Sequence, residues 1–215
     1  MTTSRPELTA LLGQLRVTVD GPQDAEATST RVASSLRACT PTLDVLTASE
    51  RQGDPDRVTS RILHAEKLFS VVALVWRSGQ QTTVHDHLAW CVVTVLCGTE
   101  QETVFRDHGD HLTPVARSVN PTGSVTAVTP PGDIHRVRNE TDSTAISLHV
   151  YGTDLGLTGS SIRRTYDLPI LDGSPHGPVQ AVASPPTPTE HYPPRLRKIP
   201  MNLASTVPDH DLVRS

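Results

Sequence analysis

The stretch Gly79-Gln-Gln-Thr-Thr-Val-His-Asp-His-Leu-Ala-Trp-Cys-Val-Val-Thr-Val-Leu-Cys-Gly98 decides the reading of the fold. It sets two histidines, His85 and His87, between runs rich in β-branched residues. On an extended strand, residues two apart point to the same face. Two imidazoles so placed can share one metal ion, and neutral imidazole suits zinc, copper, iron or nickel. In a chain with ten histidines, the same pair also reads as a polar strand end.

Outward from this stretch, the texture from Thr59 onward is that of short strands. Leu68–Trp76 is a long apolar, β-branched run, followed by Trp90–Leu96, Glu102–Arg106, Leu112–Val119, Ser124–Val128, Ile134–Arg138 and Ala145–Tyr151. Turn signals separate them: Gly98, Asp107-His-Gly-Asp110, Asn120-Pro-Thr-Gly123, Pro130-Pro-Gly-Asp133 and Asn139-Glu-Thr-Asp142. Strands at this spacing predict an all-β sandwich, jelly roll or small barrel. Upstream, Ser4-Arg-Pro-Glu7 has capping-box spacing, and Leu8, Leu11, Leu12 and Leu15 recur at helical intervals. Asp24–Cys39 predicts a second helix with Val32, Leu36 and Cys39 on one side, and Pro41–Gln52 a third, ended by Gly53-Asp-Pro55. These helices need a sheet or barrel wall to cover.

Composition narrows the function classes. The net charge is −4, and 17 of the 19 basic residues are scattered arginines, so no basic stripe invites a nucleic acid. Met1–Asp20 lacks a signal-peptide apolar region, and no run approaches membrane-spanning length. Cys39, Cys91 and Cys97 are too few, and odd in number, for a disulfide scaffold. The expectation is a soluble cytoplasmic protein with no nucleic-acid or membrane partner, its oligomeric state open. Beyond Asp167, eight prolines from Pro175 to Pro200 break any periodicity, which predicts an extended or disordered tail over 172–215. The Arg195-Leu-Arg-Lys198 cluster within it is too short to imply a partner.

Two further patterns carry chemistry. His135 opens a strand after the tight turn Pro130-Pro-Gly132, and in a closed antiparallel fold that strand can lie beside the one bearing His85 and His87. The three histidines would then form a three-point metal site. In Ser147-Leu-His-Val-Tyr151, alternation puts Ser147, His149 and Tyr151 on one face. On an inner face these groups must bond to one another, because unpartnered buried polar groups are costly. The opposite register, with Leu148 and Val150 inside and the polar groups in solvent, fits the same pattern.

Gly79-x5-His85-x-His87, then Gly98, then Pro131-Gly132-x2-His135, resembles the two cupin motifs of the thiol (cysteine) dioxygenase family. The resemblance covers about residues 59–167. It implies an all-β cupin core, a double-stranded β-helix or jelly-roll barrel: an N-terminal helical segment (1–58) packing on the barrel, a cupin domain (59–171) and a Pro-rich tail (172–215). Ordinary cupins carry a Glu shortly after His-x-His; Leu88-Ala-Trp-Cys91 has no carboxylate, a mark of the thiol dioxygenases. Ser147, His149 and Tyr151 match that family's Ser-His-Tyr relay. Cys91 stands where animal members carry the cysteine cross-linked to the active-site tyrosine, although its spacing from His87 is one residue shorter.

The resemblance further implies a mononuclear Fe(2+) held by His85, His87 and His135. The reaction it implies adds both atoms of O2 to the sulfur of a small thiol such as L-cysteine, giving a sulfinic acid. The family anchors its substrate carboxylate on an arginine, for which Arg61 is the match if the thiol is cysteine. Arg163 and Arg164 are the matches if it is 3-mercaptopropionate. Two other classes fit the same residues: a non-oxidative metal-binding cupin (an isomerase or small-molecule sensor), and a jelly-roll binding module with structural histidines.

Overall fold

The computed structural model describes residues 5–22 and 24–171; the tail predicted over 172–215 lies outside the described residues. The elements run α1 (Pro6–Val19), α2 (Ala25–Ala38), a 3-10 turn (Leu43–Val45), β1 (Thr59–Glu66), β2 (Phe69–Trp76), β3 (Val84–His87), β4 (Cys91–Cys97) and β5 (Thr99–Asp107). There follow β6 (Leu112–Pro121), β7 (Val125–Val128), β8 (His135–Arg138), β9 (Ala145–Tyr151), α3 (Leu155–Thr158) and β10 (Ile162–Tyr166).

The strands make two five-stranded antiparallel sheets, ordered β1-β2-β9-β4-β7 and β10-β3-β8-β5-β6. Neighbours far apart in sequence, such as β2 with β9 and β3 with β8, give the crossed-over connectivity of a jelly-roll, or double-stranded β-helix, barrel. Gly98 makes the passage from β4 in one sheet to β5 in the other. It has φ 75°, and an added Cβ would stand 2.8 Å from the Ala145 Cα and 2.9 Å from the Thr144 carbonyl oxygen. Only glycine takes that conformation and that approach without strain.

The first sheet is covered on both faces, which explains its nearly unbroken apolar sequence. Outside, Val71, Ala73 and Val75 of β2, Val92 of β4 and Leu148 and Val150 of β9 pack with Leu8, Leu11, Leu15 and Val19 of α1 and Val32, Ala33 and Leu36 of α2. Inside, the alternate residues Leu74, Trp76, Cys91, Val93, His149 and Tyr151 line the barrel. All seven residues of β9 are buried. Its polar face is therefore interior, and the solvent-facing register does not occur.

Three local expectations are corrected. The helix expected over Pro41–Gln52 is a single 3-10 turn at Leu43–Val45. Glu50 accepts a hydrogen bond from the Thr47 backbone N–H at 2.8 Å, closing a turn there, while Val45 and Leu46 plug the core beneath α1. Cys39 does not share the buried side of α2; it follows the last turn and is exposed. Helix α1 starts after Arg5, which gives no side-chain cap and pairs instead with Glu50 at 2.9 Å; Ser4 lies outside the described residues. Asp24 does cap α2, accepting from the Ala27 N–H at 2.7 Å. Edge strands β1 and β10 carry no apolar alternation, being only partly buried along their length, and so had no sequence signal. Among the described residues no helix is long and apolar enough to cross a membrane.

Because the helices pack outside the barrel wall, removing apolar volume there costs stability and leaves the interior alone. Leu36, fully buried between α2 and the sheet, is the test. Leu36→Ala should lower unfolding free energy by about 2–5 kcal/mol in a denaturant titration, with metal content per folded molecule unchanged.

Candidate active site

Strand β3 carries His85 and His87 on its inward face, and β8 sets His135 directly opposite His85. The three rings converge, with centroids 4.8 to 5.0 Å apart and one nitrogen of each within 4.8 Å of the others. Each ring is oriented from behind. His85 Nδ1 donates to the Thr83 carbonyl oxygen at 2.9 Å, His87 Nδ1 to Asp133 Oδ2 at 2.9 Å, and His135 Nδ1 to Glu102 Oε1 at 2.6 Å. These acceptors have no proton to give, so they hold the proton on Nδ1 and leave Nε2 as the free lone pair on each ring.

His135 Nε2 is buried and has no hydrogen-bond partner, a costly state for a polar atom that a cation at the centre relieves. Burial, with His135 beside it, pushes His85 down to about 4, so its imidazole is neutral, the form that ligates. Burial, the largest single influence, raises the Glu102 and Asp133 carboxyls, but the hydrogen bonds and charge interactions with His135 and His87, together with Ser118 for Glu102 and backbone N–H groups for Asp133, outweigh it in sum and both end below their ordinary values. Two carboxylates thus stand behind the imidazoles rather than among them. The residues present fit a three-imidazole metal centre with an all-neutral ligand set.

The second expected constellation also forms. Ser147 Oγ lies 2.9 Å from His149 Nε2, and the Tyr151 hydroxyl 3.3 Å from His149 Nδ1. The Trp76 indole N–H donates to Ser147 Oγ at 3.2 Å. The Tyr151 ring centroid is 5.9 Å from that of His87, so the chain of hydrogen bonds ends beside the three histidines. Burial pushes His149 down to about 3, keeping it neutral, and pushes the Tyr151 phenol and the Cys91 thiol up, keeping both protonated. Cys91 stands directly opposite Tyr151 across β4 and β9, with Sγ 3.7 Å from His149 Nδ1.

The three candidate arginines are not brought to this centre. Arg61 pairs opposite Ala73, a residue of the helix-covered face, and its guanidinium donates to the Gln52 carbonyl at 3.3 Å. Arg163 forms an ion pair with Asp86. Arg164 lies over the Tyr166 ring, 4.3 Å from its centroid, and 3.6 Å from Asp107. The Arg163 contact has a simple origin: Asp86, between two inward histidines, must face the other side of its strand. There it is fully buried and also accepts from the Tyr166 hydroxyl at 2.8 Å. Among the described residues, no lysine or arginine lines the cavity.

Sequence reasoning missed Asp133, Glu100 and Glu102. Asp133 stands two residues before His135, and Glu100-Gln-Glu102 places two acids at strand spacing immediately after Gly98. Both were readable as alternation, once the strand's buried face was known.

A family model described as cysteine dioxygenase type I matches residues 50–157. Similar solved structures include a cupin superfamily protein from Desulfitobacterium hafniense (17% identity over 50% of this chain and 87% of that one, TM-score 0.40). Others are a protein with a double-stranded β-helix domain from Klebsiella pneumoniae (16%, 51% and 89%, 0.42) and a Cupin 2 conserved barrel domain protein from Salinispora arenicola (20%, 53% and 89%, 0.39). The matched segment contains all three converging histidines and the Ser147–His149–Tyr151 strand, and the chain belongs to the cysteine dioxygenase type I family.

Proposed function

We propose that the protein is a mononuclear non-haem iron thiol dioxygenase, acting on a small thiol such as L-cysteine and on O2 to give a sulfinic acid. His85, His87 and His135 are the residues that would hold Fe(2+). The observation that carries this reading is the ligand set itself: three imidazoles, each tied at Nδ1, with no carboxylate joining them. Such a set leaves the ion's double charge uncompensated, which favours an anionic ligand, and a thiolate supplies one. Held by these three residues, the ion would supply the redox chemistry by which a thiol sulfur takes up both atoms of O2.

The chain's own side chains do the rest. Tyr151, kept protonated by burial, offers its hydroxyl beside His87 as a hydrogen-bond donor to the reacting group. His149 holds that hydroxyl in place and is itself held by Ser147. Leu74, Val93, Val128 and Val137 make the cavity wall apolar and limit water at the centre. Cys91, opposite Tyr151, belongs to the same machinery, as the partner of the tyrosine on the neighbouring strand. Arg61, Arg163 and Arg164 stay outside the chemistry, being engaged with Gln52, Asp86 and Asp107.

Oxygen uptake by iron-loaded protein, measured against cysteine, 3-mercaptopropionate, cysteamine and bulkier thiols, tests the reading. Uptake with sulfinate formation is expected with at least one of them. A protein that holds zinc or nickel in stoichiometric amount and consumes no oxygen with any thiol is instead a non-oxidative cupin. His135→Ala should lose more than about 100-fold in iron affinity, and Asp133→Ala, which removes the acceptor of both His87 Nδ1 and the His87 backbone N–H, about 10–100-fold; metal analysis after dialysis reads both. Tyr151→Phe should keep its iron while kcat falls by about 100-fold, the usual cost of one preorganised donor; a wild-type rate there removes the relay from the mechanism.

A further inference from the structure

Glu100 is the buried acid that the chemistry above leaves unused. It is 2% exposed and lines the same cavity as the three histidines, yet its Oε1 has no hydrogen-bond partner. The Ser147 hydroxyl and the Trp76 indole face its carboxyl, and Ser147 is the inner end of the hydrogen-bonded chain to Tyr151. The chain therefore does not stop at Ser147; a titratable group stands behind it.

We propose that Glu100 is a positioning residue whose proton sets the direction of every hydrogen bond along Ser147, His149 and Tyr151. When Glu100 is protonated, its O–H donates to Ser147 Oγ, Ser147 donates to His149 Nε2, and His149 Nδ1–H donates to the Tyr151 oxygen. The Tyr151 O–H is then free to donate into the site. When Glu100 is ionised, Ser147 turns to donate to the carboxylate. His149 then donates from Nε2 to Ser147, and Tyr151 donates to Nδ1, so its proton points away from the site.

The two states differ by one proton. If the Tyr151 O–H proton leaves into the site, the His149 Nδ1 proton passes to the phenol oxygen. The Ser147 proton passes to Nε2, and the Glu100 proton to Ser147 Oγ. Glu100 ends as carboxylate, and the three groups between it and the site end neutral.

The balance near Glu100 suits a group that changes state in the working range. Burial pushes its carboxyl up to about 7, with Glu102 on the same strand adding to the rise. Ser147 on β9, Trp76 on β2 and His135 on β8 pull the other way. Its cross-strand neighbour on β6, Asn120, carries no charge. His149 stays neutral throughout, because burial holds it near 3. Activity supported by the outward-pointing Tyr151 proton should therefore fall as pH rises through neutrality.

The inference rests on the dioxygenase reading only for the reaction that the chain serves, and the test separates the two. Glu100→Gln keeps a donor facing Ser147 and cannot ionise. In the iron-loaded protein the wild-type kcat should show an inflection within about one unit of pH 7, and Glu100→Gln should lack it, with KM changed less than about twofold. In parallel, infrared pH-difference spectra should show a protonated-carboxyl band titrating near neutrality in the wild type. That band should be absent from Glu100→Gln and displaced in Ser147→Ala. An inflection retained in Glu100→Gln, or the lack of a band that this substitution removes, overturns the proposal. If no thiol supports oxygen uptake even in the wild type, the dioxygenase reading falls and the infrared titration alone decides the role of Glu100.

Discussion

Strand β9 is covered on both faces by two chemically different layers, and the rest of the molecule follows from that constraint. Its central place between β2 and β4 leaves no face for solvent. Ile146, Leu148 and Val150 sit in the helix-covered core, where each buried aliphatic side chain contributes about 1.5–3 kcal/mol. Ser147, His149 and Tyr151 are forced into the barrel by the same alternation. Three polar groups placed there without partners would cost about 1–3 kcal/mol each. Their mutual hydrogen bonds, with Trp76 closing the inner end, remove most of that cost.

The metal-type centre obeys the same accounting of polar atoms. Each imidazole spends its Nδ1 proton on a fixed acceptor, which sets the tautomer and the ring plane together. The acceptors differ: one carbonyl and two carboxylates. The carboxylates place negative charge behind two of the rings and make those rings better electron donors. Among the described residues, His135 Nε2 and Glu100 Oε1 are the buried unpartnered polar atoms that belong to cavity-lining side chains. One belongs to the proposed ligand set and the other to the far end of the tyrosine's hydrogen-bond chain. Other buried unpartnered polar atoms, on Arg5, Arg61, Asp86, Thr94 and Asp133, belong to side chains that do not line this cavity.

How much was legible beforehand depended on whether a residue's role is local. The possible meeting of His85, His87 and His135 was readable from strand spacing and turn chemistry, as was the shared face of Ser147, His149 and Tyr151 on β9, because alternation is a property of the backbone alone. The edge strands β1 and β10 were not, since strands only partly covered need no apolar pattern. The segment Pro41–Gln52 read as a helix on its composition, but Val45 and Leu46 are held in the core beneath α1 and the backbone follows them. The surroundings of the arginines were not legible: strand register turns Arg61 to the helix side, and Asp86 pairs with Arg163.

Alternation, turn residues and the absence of a carboxylate after His-x-His were determined by the sequence by itself. They specified an all-β sandwich, jelly roll or barrel, three histidines able to meet, and a serine, a histidine and a tyrosine sharing a face. Which side of each strand became interior was decided only by the tertiary structure, because a period of two names two faces without saying what will cover either. The same limit hid Glu102 and Asp133 behind the ligands and Glu100 behind Ser147. Side chains from separate strands become neighbours only when the sheets close.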